Sequence, residues 1–353
     1  MPTPLTATLC AEALHVLKQL IRIPSISRDE QAAADFLENY LKSRGASPHR
    51  LHHNVWCEAP TPKGDRPTLL LNAHIDTVRP TAAWQHDPFM PTLEGDRLFG
   101  LGANDCGGGL CCLMQVFLHL MHDERVPYHL VFLASAEEEV SGRNGLEAVL
   151  PLLPTIDVAL VGEPTDMQPA IAEKGLMVLD CTAHGKAGHA ARNEGVNAIV
   201  QALPDVEWFS SHQFPKVSPL LGGVKMSVTM IEAGTQHNVV PDACRFVVDV
   251  RSNDCYGNEE LLGLIRQSVK CEVKERSTRL NSSHISPDHP LVQKAIRLGR
   301  SPFGSPTLSD QALMPFPSFK MGPGHSGRSH TADEFICRSE MEEAIEIYLD
   351  VLT

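Results

Sequence analysis

The residues able to do chemistry stand at the ends of apolar runs. His74 and Asp76 lie two apart in LLLNAHIDTVRP, and Asp105, the triplet Glu137–Glu139, Glu163 and, much later, His330 follow. A neutral imidazole is a metal ligand, and a carboxylate nearby can orient it. By itself a His-x-Asp pair reads as an ordinary strand-to-loop turn, so the weight falls on the full set. Unpaired carboxylates gathered at one end of a sheet would repel one another and resist desolvation. A pair of divalent cations resolves that conflict, and imidazoles with carboxylates suit zinc first, cobalt or manganese as alternatives. A carboxylate shared by two ions about 3.5–4 Å apart is the usual core of a two-metal hydrolytic site.

Strands must deliver such side chains. Leu69–Leu71 precede His74 as a short buried strand, and in open α/β sheets ligands bind where strands end. Tyr128–Ala134 and Ile156–Val161 are similar runs, ending in the acid triplet and in Glu163. Leu98–Asp105 reads as another run closed by a carboxylate, after which Gly107–Gly109 open an apolar helix, Leu110–Met121. Thr6–Ile23 and Gln31–Ser43 have helical spacing, the second introduced by a capping box at Ser27–Glu30, and Arg50–Trp56 reads as a strand. Apolar strands alternating with helices predict an α/β fold, a mostly parallel sheet with helices on both faces.

The pattern changes after Lys174. Strands at 175–182, 223–231, 244–251 and 271–276 alternate with helices at 197–212 and 258–269. That order, β-α-β-β-α-β, is a ferredoxin-like split βαβ unit. The expected organisation is a metal-binding domain of residues 1–173 and 285–353, interrupted by a smaller α+β domain at 174–284.

Composition narrows the class. A chain of 353 residues exceeds one average domain, and its net charge of −13 argues against a nucleic-acid partner. No run of about 18 apolar residues suggests a membrane span. The N-terminus lacks the basic and apolar regions of a signal peptide. Ten cysteines without a CxxC pair point to free thiols in a reducing, cytoplasmic setting.

The segments AHIDTV, GLGANDCGGG, SAEEE, GEPT, GKAGHAARNEGVNA and SHTADE, in this order, resemble the M20 family of metallo-aminoacylases and metallopeptidases, and within it the acetylornithine deacetylase group. The resemblance implies His74 as a metal ligand oriented by Asp76, Asp105 as the bridging carboxylate, and Glu139, Glu163 and His330 as further ligands. His325 competes with His330 but sits in a GPGH loop. Glu138 matches the general base, with an offset of one inside Glu137–Glu139 left open. In the inserted domain, His189 matches a histidine that assists at the substrate carbonyl, often across a dimer. Asn238 and Arg251 match contacts to the substrate carboxylate, although Arg251 could instead pair with Asp249 or Asp254. Gly107 departs from the lysine usual after the bridging acid, and a cis peptide at Asp105–Cys106 is expected.

The implied activity is metal-dependent removal of an acyl group from a small N-acyl amino acid. N-acetylornithine deacetylation in arginine biosynthesis leads, with N-acetylcitrulline or N-succinylornithine as equivalents. The alternative is a succinyl-diaminopimelate desuccinylase or an M20 dipeptidase or carboxypeptidase. The inserted domain is expected to act as a lid and to make a homodimer.

Overall fold

The computed structural model describes residues 3–192 and 194–353. The chain forms two compact units. The first takes the chain up to Ile171, then Ile285–Phe303 and Ser309–Thr353; the second takes Ala172–His284 and Gly304–Leu308.

The strand Thr68–His74 organises the first unit. It runs parallel to His129–Ser135 on one side and Val158–Val161 on the other, and Ser318–Lys320 continues the parallel set. Antiparallel strands close the two sides, Asn54–Glu58 beside His129–Ser135, and Ala170 opposite Lys320. Every residue of Thr68–His74 and His129–Ser135 is buried, which requires cover on both faces. Leu69, Leu71, Leu130, Phe132 and Leu160 face a core shared with helices Pro4–Ile21, Gln31–Ser43, Gly108–Leu120, Pro290–Arg297 and Arg338–Leu352. Leu70, Val131, Leu133 and Val161 face a second cluster with Met314 and the short helix Leu146–Val149. Each buried leucine contributes roughly 1.5–3 kcal/mol, so packing on both faces holds these strands in register.

Three local expectations change. The strand expected at Arg50–Trp56 is a hairpin, His49–Leu51 with Asn54–Glu58, whose two-residue turn places His52 at φ 51°. Tight hairpin turns need positive φ, and histidine tolerates it better than bulkier residues. Helix Gln31–Ser43 has no capping box, since Glu30 makes no side-chain cap bond. Ser27 instead donates to Asp76 Oδ2 at 2.7 Å. Of Leu98–Asp105, only the start is extended. Arg97–Phe99 belongs to a separate antiparallel sheet with Thr92–Glu94 and Phe335–Cys337. Gly102, at φ 72°, then turns the backbone, and Asp105 sits in an irregular turn, not at a strand end.

The second unit is a four-stranded antiparallel sheet in the order Lys225–Ala233, Ala243–Arg251, Met177–His184, Glu272–Glu275. Helices Ala198–Ser211 and Asn258–Ser268 pack on the face bearing Leu179, Cys181, Phe246 and Val248. Gly188–His189 pairs separately with Val239–Val240. All ten cysteines are free thiols, and among the described residues no helix is long and apolar enough to cross a membrane.

Candidate active site

Parallel strands end at one edge of a sheet, and three of them deliver acids or a histidine there. His74 is the last residue of its strand. His129–Ser135 runs on into Glu138 and Glu139, and Val158–Val161 into Glu163. Helix Gly108–Leu120 closes against this edge through Gly109, where an added Cβ would lie 1.8 Å from the Gly162 carbonyl oxygen. Gly107 has a comparable reason. Its N–H donates to the Gly102 carbonyl at 2.9 Å, and a Cβ there would meet that same oxygen at 2.5 Å. The turn that presents Asp105 is therefore built around the residue that departs from the family pattern, and the Asp105–Cys106 peptide is cis as expected.

Asp105 lies at the centre. Its Oδ1 is 3.3 Å from His74 Nε2, and its Oδ2 is 3.5 Å from His330 Nε2. Glu163 Oε1 lies 3.5 Å from His74 Nε2, and Glu139 Oε2 lies 2.8 Å from His330 Nε2. The two oxygens of one carboxylate thus face two different histidines, each with its own second acid. His325 stands apart, 3.8 Å from Asp166, and its Nδ1 accepts the Gly327 N–H.

Burial makes this arrangement electrostatically costly. It pushes the Glu138 carboxyl well above the ordinary carboxylate range, with Glu163, Asp310 and Glu139 adding to the effect against His74. Burial, then the charge of Asp105, pushes Glu163 up to about 8. Asp105 stays below its ordinary value despite burial, because His74 hydrogen-bonds to it. The hydrogen bond to Glu139 raises His330 to about 9. Glu163 Oε1 is buried and has no hydrogen-bond partner among the described residues. An orphaned carboxylate oxygen beside an imidazole and a second carboxylate is what a bound cation would satisfy, so these residues fit divalent metal. Cys106 also lies near His74 and Glu163. Its Sγ, however, accepts the His74 N–H at 3.3 Å and donates to the His74 carbonyl at 3.6 Å, so it serves that strand end.

Asp76 faces His74 and also reaches the acid turn. His74 Nδ1 donates to the Asp76 carbonyl oxygen at 2.9 Å, and the carboxylate is 3.5 Å away. That carboxylate accepts the N–H groups of Glu138 and Glu139, each at 3.1 Å, and so holds the acid turn. Within the triplet, Glu137 points elsewhere, accepting Asn144 Nδ2 at 3.0 Å. Among the described residues no hydrogen bond engages the Glu138 carboxyl.

In the second unit, His189 is exposed and its Nδ1 accepts the Ala191 N–H at 3.1 Å. A neutral ring in this tautomer carries its proton on Nε2, a donor without a partner among the described residues. Exposed Asn238 lies next to it, its carbonyl accepting the Ala190 N–H at 3.0 Å. Arg251 takes the alternative left open in the sequence, forking onto Asp249 through Nε at 2.9 Å and Nη2 at 3.1 Å.

Three residues were missed. Glu30, fully buried, accepts the Glu137 N–H at 3.2 Å and His53 Nδ1 at 2.6 Å, although its sequence context resembles a helix start. Asp310, also buried, accepts from Asn72 at 2.9 Å and Ser135 at 2.6 Å. Alternation puts Asn72 and Ser135 on one sheet face, but nothing in the loop around Asp310 marks it. Glu334 could have been found, since it closes the SHTADE segment.

The family model described as Peptidase family M20/M25/M40 matches residues 70–353. A succinyl-diaminopimelate desuccinylase of Dinoroseobacter shibae is 27% identical over 94% of this chain and 96% of its own. The aminopeptidase PepT of Bacillus cereus shares the fold, with a TM-score of 0.78 at 17% identity over 97% of this chain and 98% of its own. So does the Bacillus subtilis YXEP protein, described as a dinuclear metal binding peptidase, with a TM-score of 0.74 at 16% identity over 98% of both chains.

Proposed function

The chain belongs to peptidase family M20/M25/M40, a family of metallohydrolases acting on amide bonds, and on that premise we propose that it removes the acyl group from small N-acyl amino acids. Asp105 carries this reading, because its two oxygens face His74 and His330 separately. His74, Glu163 and Asp105 would hold one cation, and Asp105, Glu139 and His330 the other, with zinc the expected metal. Divalent cations there supply Lewis acidity and lower the pKa of water.

The chain's own groups do the rest. Glu138, raised by burial and unengaged, accepts the proton of the attacking water and returns it to the leaving nitrogen. Asp76 keeps Glu138 in place through its backbone. His189 offers its Nε2–H to the carbonyl oxygen as negative charge builds there. Asn238, and Arg251 through the Nη1 edge outside the Asp249 fork, bind the substrate carboxylate.

The sequence resemblance favours N-acetylornithine, N-acetylcitrulline or N-succinylornithine as substrate. A second reading, N-succinyl-diaminopimelate, is supported by the name of the Dinoroseobacter shibae relative. A homodimer through the second unit is the proposed assembly. Its support is an apolar surface on helix Ala198–Ser211 and the edge strand Lys225–Ala233, where Val200, Leu203, Met230 and Ile231 are 54–57% exposed. The deciding experiment is a substrate panel on zinc- or cobalt-loaded protein: the ornithine and citrulline derivatives, N-succinyl-diaminopimelate and dipeptides, each with and without EDTA. Chelator-sensitive turnover of one acyl amino acid names the substrate. Turnover confined to dipeptides would move the function to peptide breakdown.

A further inference from the structure

Two buried side chains tie the loops that carry Asp105 and His330: Asn104, whose Nδ2 donates to the His325 carbonyl at 3.2 Å and whose Oδ1 accepts the His325 N–H at 3.2 Å, and Glu334, which has no role in the reaction above. Glu334 is 2% exposed. Its Oε2 accepts the Gly102 N–H at 3.0 Å, and its Oε1 accepts the N–H groups of Asn104 at 2.7 Å and Asp105 at 2.9 Å. Its own carbonyl accepts the Gly100 N–H at 3.1 Å. A single residue therefore satisfies four donors of the turn that presents Asp105.

The same loop is clipped on its other side. Asp333 Oδ1 accepts the N–H groups of Gln85 at 3.0 Å and His86 at 2.9 Å, and His86 Nδ1 at 3.0 Å. His330 needs such anchoring. Its side chain is 54% exposed and its backbone is left-handed at φ 59°, so packing does little to place it. The 3.5 Å approach of His330 to Asp105 depends on how the two loops are joined.

We propose that Glu334 is a positioning residue that sets the separation of Asp105 from His330, and through it the affinity of the cation position those two share with Glu139. This rests on the two-metal reading given above. Partners that orient metal ligands typically change affinity about 10–100-fold when removed, because ligand positions tolerate only small errors. A residue that merely stabilised the turn would weaken the fold and leave the two cation affinities in the same ratio.

The test is a cobalt(II) titration of metal-free protein, followed by visible absorption with stoichiometry from equilibrium dialysis, on wild type and Glu334→Gln. Glutamine keeps the size, but its amide NH2 must face one of the backbone N–H groups. The expected result is one cobalt position at wild-type affinity, the other at least about tenfold weaker, and an unchanged far-ultraviolet circular dichroism spectrum. Two cobalt affinities in the wild-type ratio overturn the proposal. Should Glu334→Gln fail to fold, Glu334→Asp reads the same ratio, its shorter carboxylate withdrawn from the three N–H groups. Wild type binding fewer than two cobalt ions would overturn the two-metal reading itself, a result distinct from unchanged cobalt affinities in the variant.

Discussion

The carboxylate of Asp76 accepts the backbone N–H of Glu138 at 3.1 Å, so the acid beyond one strand end holds the acid turn beyond the next. Asp76→Asn should therefore lower kcat by about 10–100-fold with KM and metal content little changed. Steady-state kinetics with metal analysis checks this. Loss of metal with kcat per bound metal unchanged would confine Asp76 to orienting His74.

Glu138 and Glu137 should separate cleanly. Glu138→Gln keeps the metal and loses about 10²–10⁴-fold in turnover, the usual contribution of a general base. Glu137→Ala removes the acceptor of Asn144 and should cost roughly 1–3 kcal/mol of stability, read in thermal unfolding, with less effect on kcat. The reverse outcome would shift the base by one position.

Metal-free protein should show a pH dependence that metal removes. Burial raises Glu163 from its ordinary 4.5 to about 8, so between these values the folded state binds more protons than the unfolded state. Stability then falls as pH rises through that window. The favourable contribution is complete below about pH 4.5 and gone above about pH 8. Thermal unfolding of EDTA-treated protein across this range reads the slope, and saturating zinc should abolish it while raising Tm by mass action. A metal-free protein with a flat or rising profile would contradict the burial of Glu163.

Gly109→Ala should destabilise the protein by roughly 1–3 kcal/mol and weaken metal binding at the Glu163 position. The new methyl cannot occupy the 1.8 Å left beside the Gly162 carbonyl unless the helix and the Glu163 strand end separate. Denaturant unfolding and zinc affinity measured on the same preparation test both halves.

Val200→Asp with Leu203→Asp should convert a dimer to a monomer in sedimentation velocity, since a charge on that surface must be desolvated on association. A wild-type protein already monomeric in solution would withdraw the dimer.

The family and the mostly parallel sheet were legible because both rest on local pattern. Leu69–Leu71 are apolar in succession since both sheet faces are covered, and His74 follows at once since parallel strands end where ligands bind. Asp105 was legible as an acid and misread in its setting. Gly100 and Gly102 break the extended path, and pairing of Arg97–Phe99 with Phe335–Cys337 depends on residues more than two hundred positions away. Ser27 and Glu30 were misread for a related reason. Serine and glutamate ahead of a helix have the spacing of a cap, but here their partners, Asp76 and the Glu137 backbone, come from distant strand ends.

By itself the sequence determined the chemical inventory: two histidines and the acids at apolar-run ends, in an order that identifies the family. Alternation along the strands also determined which residues could share a face. Only the tertiary structure decided how each group is used. Asp105 turns one oxygen to each histidine, Asp76 holds the acid turn by its carboxylate and His74 by its carbonyl, and Glu334 joins two ligand loops. The physical reason is that hydrogen bonding of buried polar groups is satisfied across the fold, between residues whose separation in the chain leaves no local signal.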